Sequence, residues 1–139
     1  MYLISETLKF SRIMNAAAAA QTTVTSSAID CQGFDSFVAL LSVGSVAAGG
    51  SAVATLHYSD DNSDYTAISA SAIDIADDDD NGICIFSLGN LKHRYYKLVV
   101  TRADADSSLD GCIVALTRAF NQTEPLITTA IGTVALVGV

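Results

Sequence analysis

The stretch YYKLVVTR at residues 95–102 determines the fold class, because its side chains fall into two alternating sets. Tyr96, Leu98 and Val100 occupy the even positions, whereas the odd positions include Lys97. A period of two directs one set of side chains to a core and the other to the opposite face of a sheet. The stretch therefore predicts a β-strand.

Similar stretches lie on both sides of this strand. Residues 51–59 and 111–120 also alternate, and the continuous apolar run FVALL at residues 37–41 predicts a central strand buried on both faces. The predicted strands cover residues 22–30, 34–43, 51–59, 65–75 (as one strand or two), 83–88, 95–102 and 111–120, with a loop over residues 104–111. Their spacing predicts an all-β fold, an antiparallel β-sandwich of the jelly-roll or immunoglobulin-like type with extended N- and C-terminal arms.

The sequence pattern changes at both ends of this body. Residues 1–21 have no clear period and end in an alanine run, whereas residues 121–139 open with NQTEP and then become apolar. We predict an N-terminal arm (residues 1–21), a sandwich body (residues 22–120) and a C-terminal apolar arm (residues 121–139). The first 20 residues lack the basic start and unbroken apolar centre of a secretion signal, so we interpret them as part of the mature chain.

The charge balance argues against two classes of partner. The 139 residues include 15 acidic and 7 basic side chains, which gives a formal net charge of −8. Nucleic-acid binding requires clustered Lys and Arg, and an anionic membrane surface repels an acidic protein. The apolar tail at residues 125–139 is shorter than the roughly 20 residues of a spanning helix. We predict no nucleic-acid partner and no membrane partner.

The cysteine pattern predicts buried, reduced thiols. The chain has three cysteines, Cys31, Cys84 and Cys112, with no CxxC and no close Cys/His spacing. An odd number of isolated cysteines argues against a disulfide framework and against a zinc site. Each lies in or beside an apolar stretch, where a free cysteine behaves as a small hydrophobic side chain.

The sequence carries no recognisable catalytic constellation. His57 and His93 are the only histidines, and the only glutamates, Glu6 and Glu124, lie in the predicted arms. None of the common nucleophile, metal-hydrolase or phosphate-loop motifs is present. We therefore predict that the protein is not an enzyme, with no catalytic residue, no cofactor and no metal site.

The acidic run DDDDNG at residues 77–82 leaves two interpretations open. Asp77, Asp79 and Asn81 match the first three ligand positions of a calcium loop, and Gly82 matches its glycine. The twelfth position, however, is Leu88 instead of a bidentate glutamate. The other interpretation is a solvated acidic turn that contributes solubility.

A small group of basic residues also allows two interpretations. Lys92, His93, Arg94 and Lys97 lie together at the start of one predicted strand in an otherwise acidic chain. The group could dock an acidic protein partner by charge complementarity. Alternatively, its members are ordinary surface residues at a strand entrance.

Four segments together resemble a known family. They are DCQGFDSFVALLSVG (residues 30–44), LHYSDDNSDYTAI (56–68), NLKHRYYKLVVTR (90–102) and GCIVALTRAF (111–120). In this order they are similar to the capsid decoration or cement (head-stabilising) proteins of tailed bacteriophages. The resemblance covers roughly residues 30–120.

The resemblance implies a structural virion protein with a sandwich fold. Such a protein is made in the host cytoplasm, binds the outer capsid surface and cements adjacent subunits of the major capsid protein. It also implies self-association, with a homotrimer as the commonest arrangement and a dimer second. Two alternatives remain: a small sandwich module for binding or adhesion (to a glycan, or assisted by calcium), and a virion protein of the tail or fibre.

The apolar residues of the two arms are the candidate partner-binding residues. Apolar arms suit strand addition to a neighbouring sheet or burial between subunits. The candidates are Tyr2, Leu3, Ile4, Leu8, Phe10 and Ile13 in the N-terminal arm, and Leu126, Ile127, Ile131, Val134, Leu136 and Val137 in the C-terminal arm.

Overall fold

The computed structural model describes residues 8–117 and 131–139, which form strands and one short 3-10 helix, Ser69–Ser71. The strands are β1 (Leu8–Met14), β2 (Ala17–Ala20), β3 (Val24–Thr25), β4 (Ile29–Asp30), β5 (Ser36–Val46), β6 (Ser51–Ser59), β7 (Thr66–Ala67), β8 (Ile73–Ile75), β9 (Ile83–Gly89), β10 (Tyr95–Ala103), β11 (Ser107–Thr117) and β12 (Gly132–Val137). The predicted all-β class is confirmed.

The strands form two sheets that pack face to face. Sheet 1 has the order β1-β11-β5-β9-β12, with β2 also paired to β11. Sheet 2 has the order β3-β10-β6-β7, with β4 also paired to β10 and β8 to β6. All described pairs are antiparallel except β9 with β12, which is parallel.

The strand order is that of a jelly roll. The short strands β1 and β2 occupy one position, as do β3 with β4 and β7 with β8. Numbered by position along the chain, sheet 1 then reads 1-8-3-6 and sheet 2 reads 2-7-4-5, the two interleaved Greek keys of a jelly roll. Of the two predicted sandwich types, the strand order thus matches the jelly roll, and β12 is an addition at the β9 edge.

The core lies between the sheets and is built from one side of each long strand. Phe37 and Leu41 in β5, Phe86 in β9, and Tyr96 and Leu98 in β10 are all fully buried. The rings of Phe37 and Tyr96, from opposite sheets, meet edge to face with centroids 5.3 Å apart. Such contacts between large side chains lock the two sheets together.

A buried arginine fastens the β2 segment to the body. Arg102 in β10 is 4% exposed, and its guanidinium donates to the main-chain oxygens of Ala18 and Thr22, each at 2.8 Å. It also donates to the main-chain oxygen of Ser107 at 2.5 Å and to Thr22 Oγ1 at 2.9 Å. One side chain therefore joins the segment at residues 18–22 to β10 and to the start of β11.

The structure corrects the expectation of a separate N-terminal arm for the residues that it describes. β1 pairs with β11 from Leu8 opposite Thr117 to Met14 opposite Cys112. β2, formed by the alanine run, pairs with β11 further along. A bulge between Arg12 and Met14 breaks the alternation, so no strand pattern is visible in the sequence.

The C-terminal segment is also part of the sandwich where it is described. β12 pairs with β9 from Gly132 opposite Cys84 to Val137 opposite Gly89. Beyond the strand, the main-chain oxygen of Val139 accepts a hydrogen bond from the hydroxyl of Tyr96 at 2.5 Å. Where it is described, the C-terminal segment therefore joins the sandwich through the edge strand β12 and is not an extended arm.

The three cysteines are free and buried, as predicted. Burial raises the pKa of the Cys31, Cys84 and Cys112 thiols to about 12 in each case. Because the thiolate is the reactive form, we expect an aromatic disulfide reagent at about pH 8 to label none of them in the native protein. In denaturant, all three should react. Fast labelling of a native thiol would contradict this assignment.

Candidate interaction surface

The outer face of sheet 1 carries most of the exposed large hydrophobic side chains of the described chain. Phe10 is 57% exposed, Ile113 47%, Leu40 38% and Ile83 37%. On the outer face of sheet 2 the comparable side chain is Val53, which is 37% exposed. We call the patch on sheet 1 the apolar face; it consists of Phe10, Val38, Leu40, Ile83, Ile113 and Ala115.

The strand register brings these residues together. Ile113 of β11 lies opposite Leu40 of β5, and Ala115 opposite Val38. Phe10 of β1 lies opposite Ala115, so its ring is at the border of the same patch. Neighbouring strands are about 4.8 Å apart, and residues of one parity share a face. The six residues therefore form one continuous surface.

Strand β5 shows why the sequence alone missed this surface. The apolar run at residues 37–41 predicted burial on both faces of the strand, and this prediction is wrong. Phe37, Ala39 and Leu41 are fully buried between the sheets, but Leu40 points to the outer face and remains exposed. Val38 and Leu40, the apolar residues at the outward positions of β5, were the feature of the sequence that could have indicated the apolar face.

The apolar face lacks acidic side chains, although the chain as a whole is acidic. The outward positions of its four strands carry two charged side chains: Arg12, which lies opposite Ile113, and Asp110, which is exposed in β11 beyond the patch. The other outward positions beside the patch are serine, threonine or aliphatic, including Ser36, Ser42 and Ser87. An uncharged patch with a polar rim is the usual make-up of a protein–protein contact.

The predicted partner-binding residues of the N-terminal arm differ in where the structure places them. Phe10 is part of the apolar face, and Leu8 is half-buried in the same strand. Ile13 is only 5% exposed and packs in the core, because it follows the outward-facing Arg12 in the alternation of β1. Its assignment to a partner surface is therefore corrected. Tyr2, Leu3 and Ile4 lie outside the described residues.

The predicted residues of the C-terminal arm divide in the same way. Ile131, Val134 and Leu136 are partly buried and pack against the core, so they hold β12 in the sandwich. Val137 is 78% exposed at the edge of sheet 1. Leu126 and Ile127 lie outside the described residues.

The basic group at the start of β10 is largely paired within the chain. Arg94 holds Asp30 by two hydrogen bonds, Nε to Oδ1 at 3.1 Å and Nη2 to Oδ2 at 3.0 Å. His93 Nδ1 lies 2.9 Å from Asp60 Oδ1, and its ring stacks on Tyr58 with centroids 3.9 Å apart. These pairs reduce the positive charge that an acidic partner would meet.

Aromatic rings near this group are also covered by cations. Lys97 Nζ lies 3.9 Å from the ring centre of Tyr65, and the Arg94 guanidinium lies 4.8 Å from that of Tyr95. A sugar-binding platform requires an open ring face. These two faces are already in contact with side chains of the same molecule.

The aspartates of the acidic run accept hydrogen bonds from main-chain amides and so attach the loop at residues 77–82 to the rest of the sandwich. Asp80 Oδ1 accepts a hydrogen bond from the Val46 amide at 2.5 Å, and Asp77 Oδ2 accepts one from the Gly49 amide at 2.7 Å. Asp79 Oδ2 accepts from an amide within the loop at 2.8 Å. Among residues 8–117 and 131–139, no group of three or more His, Cys, Asp or Glu side chains is arranged to hold a metal ion.

Three perturbed groups make the fold less stable in acid. Burial, followed by the charge of Lys97, lowers the pKa of His57 below 6.5, so the unfolded chain takes up this proton first as the pH falls. Hydrogen bonds from Arg94 and the Gln32 amide lower the pKa of Asp30 below 3.8, and those from Ser63 and Asp64 amides do the same for Asp61. Each contribution is present above the pKa of the unfolded group and is lost below it.

We therefore expect the urea midpoint to fall in two stages on acidification. The first stage begins near pH 6.5 and belongs to His57, and the second lies below pH 3.8 and belongs to the aspartates. His57→Gln should remove the first stage only, and Asp61→Asn should weaken the second only. A midpoint that rises between pH 7 and pH 5 would contradict the assignment of His57.

The chain matches no model of a known protein family, and no curated protein is significantly similar to it. Within the described part of the chain, no helix has the length and apolar character needed to cross a membrane. Fold and surface together define an acidic jelly-roll protein with one apolar outer face.

Proposed function

We propose that the protein is a structural virion protein that binds the outside of a phage capsid and cements adjacent major capsid protein subunits, acting as an oligomer. The observation that carries the proposal is the apolar face, in which Phe10, Leu40, Ile83 and Ile113 are each more than a third exposed. Contiguous exposed hydrophobic side chains on a well-packed domain are typical of a surface that another protein covers.

The resemblance of residues 30–120 to phage decoration proteins supports the proposal that the partner is a capsid. The jelly-roll order supports it as an analogy of fold alone, since the same architecture occurs in viral capsid domains and in lectins. The covered aromatic rings and the internally bonded aspartates favour the structural role over a glycan-binding one. On this proposal the protein needs neither a catalytic residue nor a cofactor.

A protein of this kind would act by mass action. It binds the assembled shell and not the separated subunits, so its binding free energy is added to the stability of the shell. Because one oligomer contacts several subunits at once, weak individual contacts combine into a high overall affinity. A rigid sandwich suits this role because little ordering is required on binding.

The proposal is tested by adding the purified protein to capsids that lack it. We expect the protein to pellet with the particles, to saturate at a ratio near that of the major capsid protein, and to raise the temperature at which the particles release DNA. A protein that stays in the supernatant at all concentrations would contradict the proposal. Saturation at a few copies per particle would instead support the tail or fibre alternative.

A further inference from the structure

We propose that the outer face of sheet 2 binds a carboxylate-bearing segment of a partner protein through Lys97 and His57, with Tyr65 holding the lysine in place. The inference deepens the proposed function and rests on it in one respect, that the partner belongs to the capsid. The outer faces of the two sheets lie on opposite sides of the sandwich. A site on each face therefore allows one molecule to contact two neighbouring subunits.

The strand register places the two nitrogen-bearing side chains next to each other. Lys97 of β10 lies opposite His57 of β6. The residues beside them in the alternation, Tyr96 and Leu56, are fully buried, so Lys97 and His57 point away from the core. Directly opposite side chains in an antiparallel pair have Cβ atoms about 4.5–5.5 Å apart. One carboxylate can therefore contact both groups.

Lys97 has no carboxylate partner within the part of the chain that the structure describes. The ion pairs found there join Arg94 to Asp30 and His93 to Asp60. The sequence has 15 acidic side chains and only 7 basic ones, so an exposed lysine without an acidic partner is unexpected. Charge complementarity therefore favours a carboxylate from another molecule.

An aromatic ring holds the Lys97 ammonium in position. Lys97 Nζ lies 3.9 Å from the ring centre of Tyr65, and the hydroxyl of Tyr65 donates to Asn62 Oδ1 at 2.5 Å. An ammonium on a ring keeps its charge and its three N–H donors, so it can still bond an anion on its open side. Since the side chain is already positioned, binding requires little further ordering.

The surroundings favour a protein segment as the carrier of the carboxylate. Thr55 and Val99 lie opposite each other on the same face, and Thr25 lies opposite Val99 on its other side. These short side chains leave a strand face on which an extended segment can lie. Nucleic acid requires many cations, whereas this face offers a single lysine and a histidine. A sugar requires an open ring face, and Lys97 covers that of Tyr65.

Binding of a carboxylate should be coupled to protonation of His57. Burial, followed by the charge of Lys97, lowers the pKa of His57 below 6.5. Lys97 faces His57 from β10 and Ala67 faces it from β7, so neither neighbouring strand places a carboxylate opposite it. A bound carboxylate offsets the charge of Lys97 and raises this pKa. By linkage, protonation strengthens binding by the same factor, about two- to fivefold between pH 7.5 and pH 5.5.

Titration of the whole chain with an acetylated and amidated hexaglutamate peptide, followed by two-dimensional NMR of the backbone amides, tests the inference. In about 20 mM salt, where screening is weak, we expect shifts centred on residues 57, 65 and 97. The dissociation constant should lie between about 0.1 and 5 mM, as for a contact built on one ion pair. A hexaglutamine peptide should cause no shifts.

Two substitutions of equal charge separate a site from general attraction. Lys97→Gln should weaken binding of hexaglutamate at least about fivefold. Lys9→Gln is the matched control, because Lys9 is also exposed and also lies near a ring (Nζ is 5.8 Å from the ring centre of Phe34), but it belongs to sheet 1. This variant should bind within about twofold of the wild type. His57→Gln should bind at pH 7.5 and lose the increase at pH 5.5, a result that does not depend on the folding of the lysine variants.

Three outcomes would overturn the inference. They are a lack of shifts on sheet 2 at millimolar peptide, equal losses for Lys97→Gln and Lys9→Gln, and tighter binding of a uronic-acid oligosaccharide than of hexaglutamate. The last result would assign the face to a sugar. Peptide binding by a protein that does not pellet with capsids would leave the carboxylate site standing and contradict the proposed function. Capsid binding by a protein that ignores the peptide would do the reverse.

Discussion

Replacing Arg102 with methionine is expected to lower the free energy of unfolding by about 3–5 kcal/mol, which for a chain of this length corresponds to a fall of roughly 10–20 °C in melting temperature. The side chain is 4% exposed, and it donates to three main-chain oxygens, those of Ala18, Thr22 and Ser107. Methionine fills much of the space but leaves these acceptors without their donor. Each unsatisfied buried acceptor costs about 1–3 kcal/mol, partly relieved where water enters.

Arg94→Met is the matched control for Arg102→Met. Arg94 also bonds through its guanidinium, but the side chains of Arg94 and Asp30 are both nearly half exposed. Solvent screens an exposed ion pair, so it contributes little to stability and the urea midpoint should change little. Arg102→Lys should behave more like Arg102→Met, because an ammonium group lacks the fork that spans three carbonyls. Equal losses for Arg94→Met and Arg102→Met would contradict the role of Arg102.

The second large effect is expected at Tyr96. Its ring is fully buried and meets Phe37 of the opposite sheet, so Tyr96→Ala opens a cavity between the sheets and should cost about 3–5 kcal/mol. Tyr96→Phe keeps the ring and removes the hydrogen bond to the main-chain oxygen of Val139. This variant should cost only about 0.5–1.5 kcal/mol.

The two Tyr96 variants separate packing of the core from attachment of the C-terminal strand. Equilibrium denaturation gives the stability of each variant, and hydrogen exchange of the β12 amides reports the attachment. Tyr96→Phe should speed exchange in β12 more than in β10 or β11. A loss of stability in Tyr96→Phe as large as in Tyr96→Ala would contradict the packing role of the ring.

The long strands could be predicted because each has one period and one buried face. The predicted strand at residues 51–59 matches β6 (Ser51–Ser59), and that at residues 95–102 matches β10 (Tyr95–Ala103) within one residue. The inward side chains of β6 at residues 52–58 and those of β10 up to Val100 are apolar, with Arg102 the exception in β10, so the alternation is visible without any knowledge of the partners.

The irregular strands could not be predicted, because local interruptions hide the period. The predicted strand at residues 22–30 is in fact β3 and β4, separated at Ser26, whose amide donates to Leu98 and whose hydroxyl accepts from the Leu98 amide. The predicted loop at residues 104–111 is wrong, since β11 begins at Ser107. Its first part carries a bulge between Leu109 and Gly111, so side chains of one parity do not share a face there.

The N-terminal strands were missed for a different reason. The alanine run at residues 16–20 has a helix-forming composition, yet β2 pairs with β11 because tertiary contacts outweigh a weak local preference. The candidate surface was half visible in the sequence: Phe10 was identified, but Leu40 and Ile113 were not. Their apolar character indicated a strand, and only the assembled sheets reveal which side of that strand has no partner within the described chain.

The most direct test of the central claim is quantitative mass spectrometry of gradient-purified particles from a lysate in which the protein is made. The account predicts a copy number comparable to that of the major capsid protein, as expected for a component of the shell. A few copies per particle would contradict a role in cementing the capsid and would point to the tail or fibre. Complete absence from the particles would contradict the virion assignment itself.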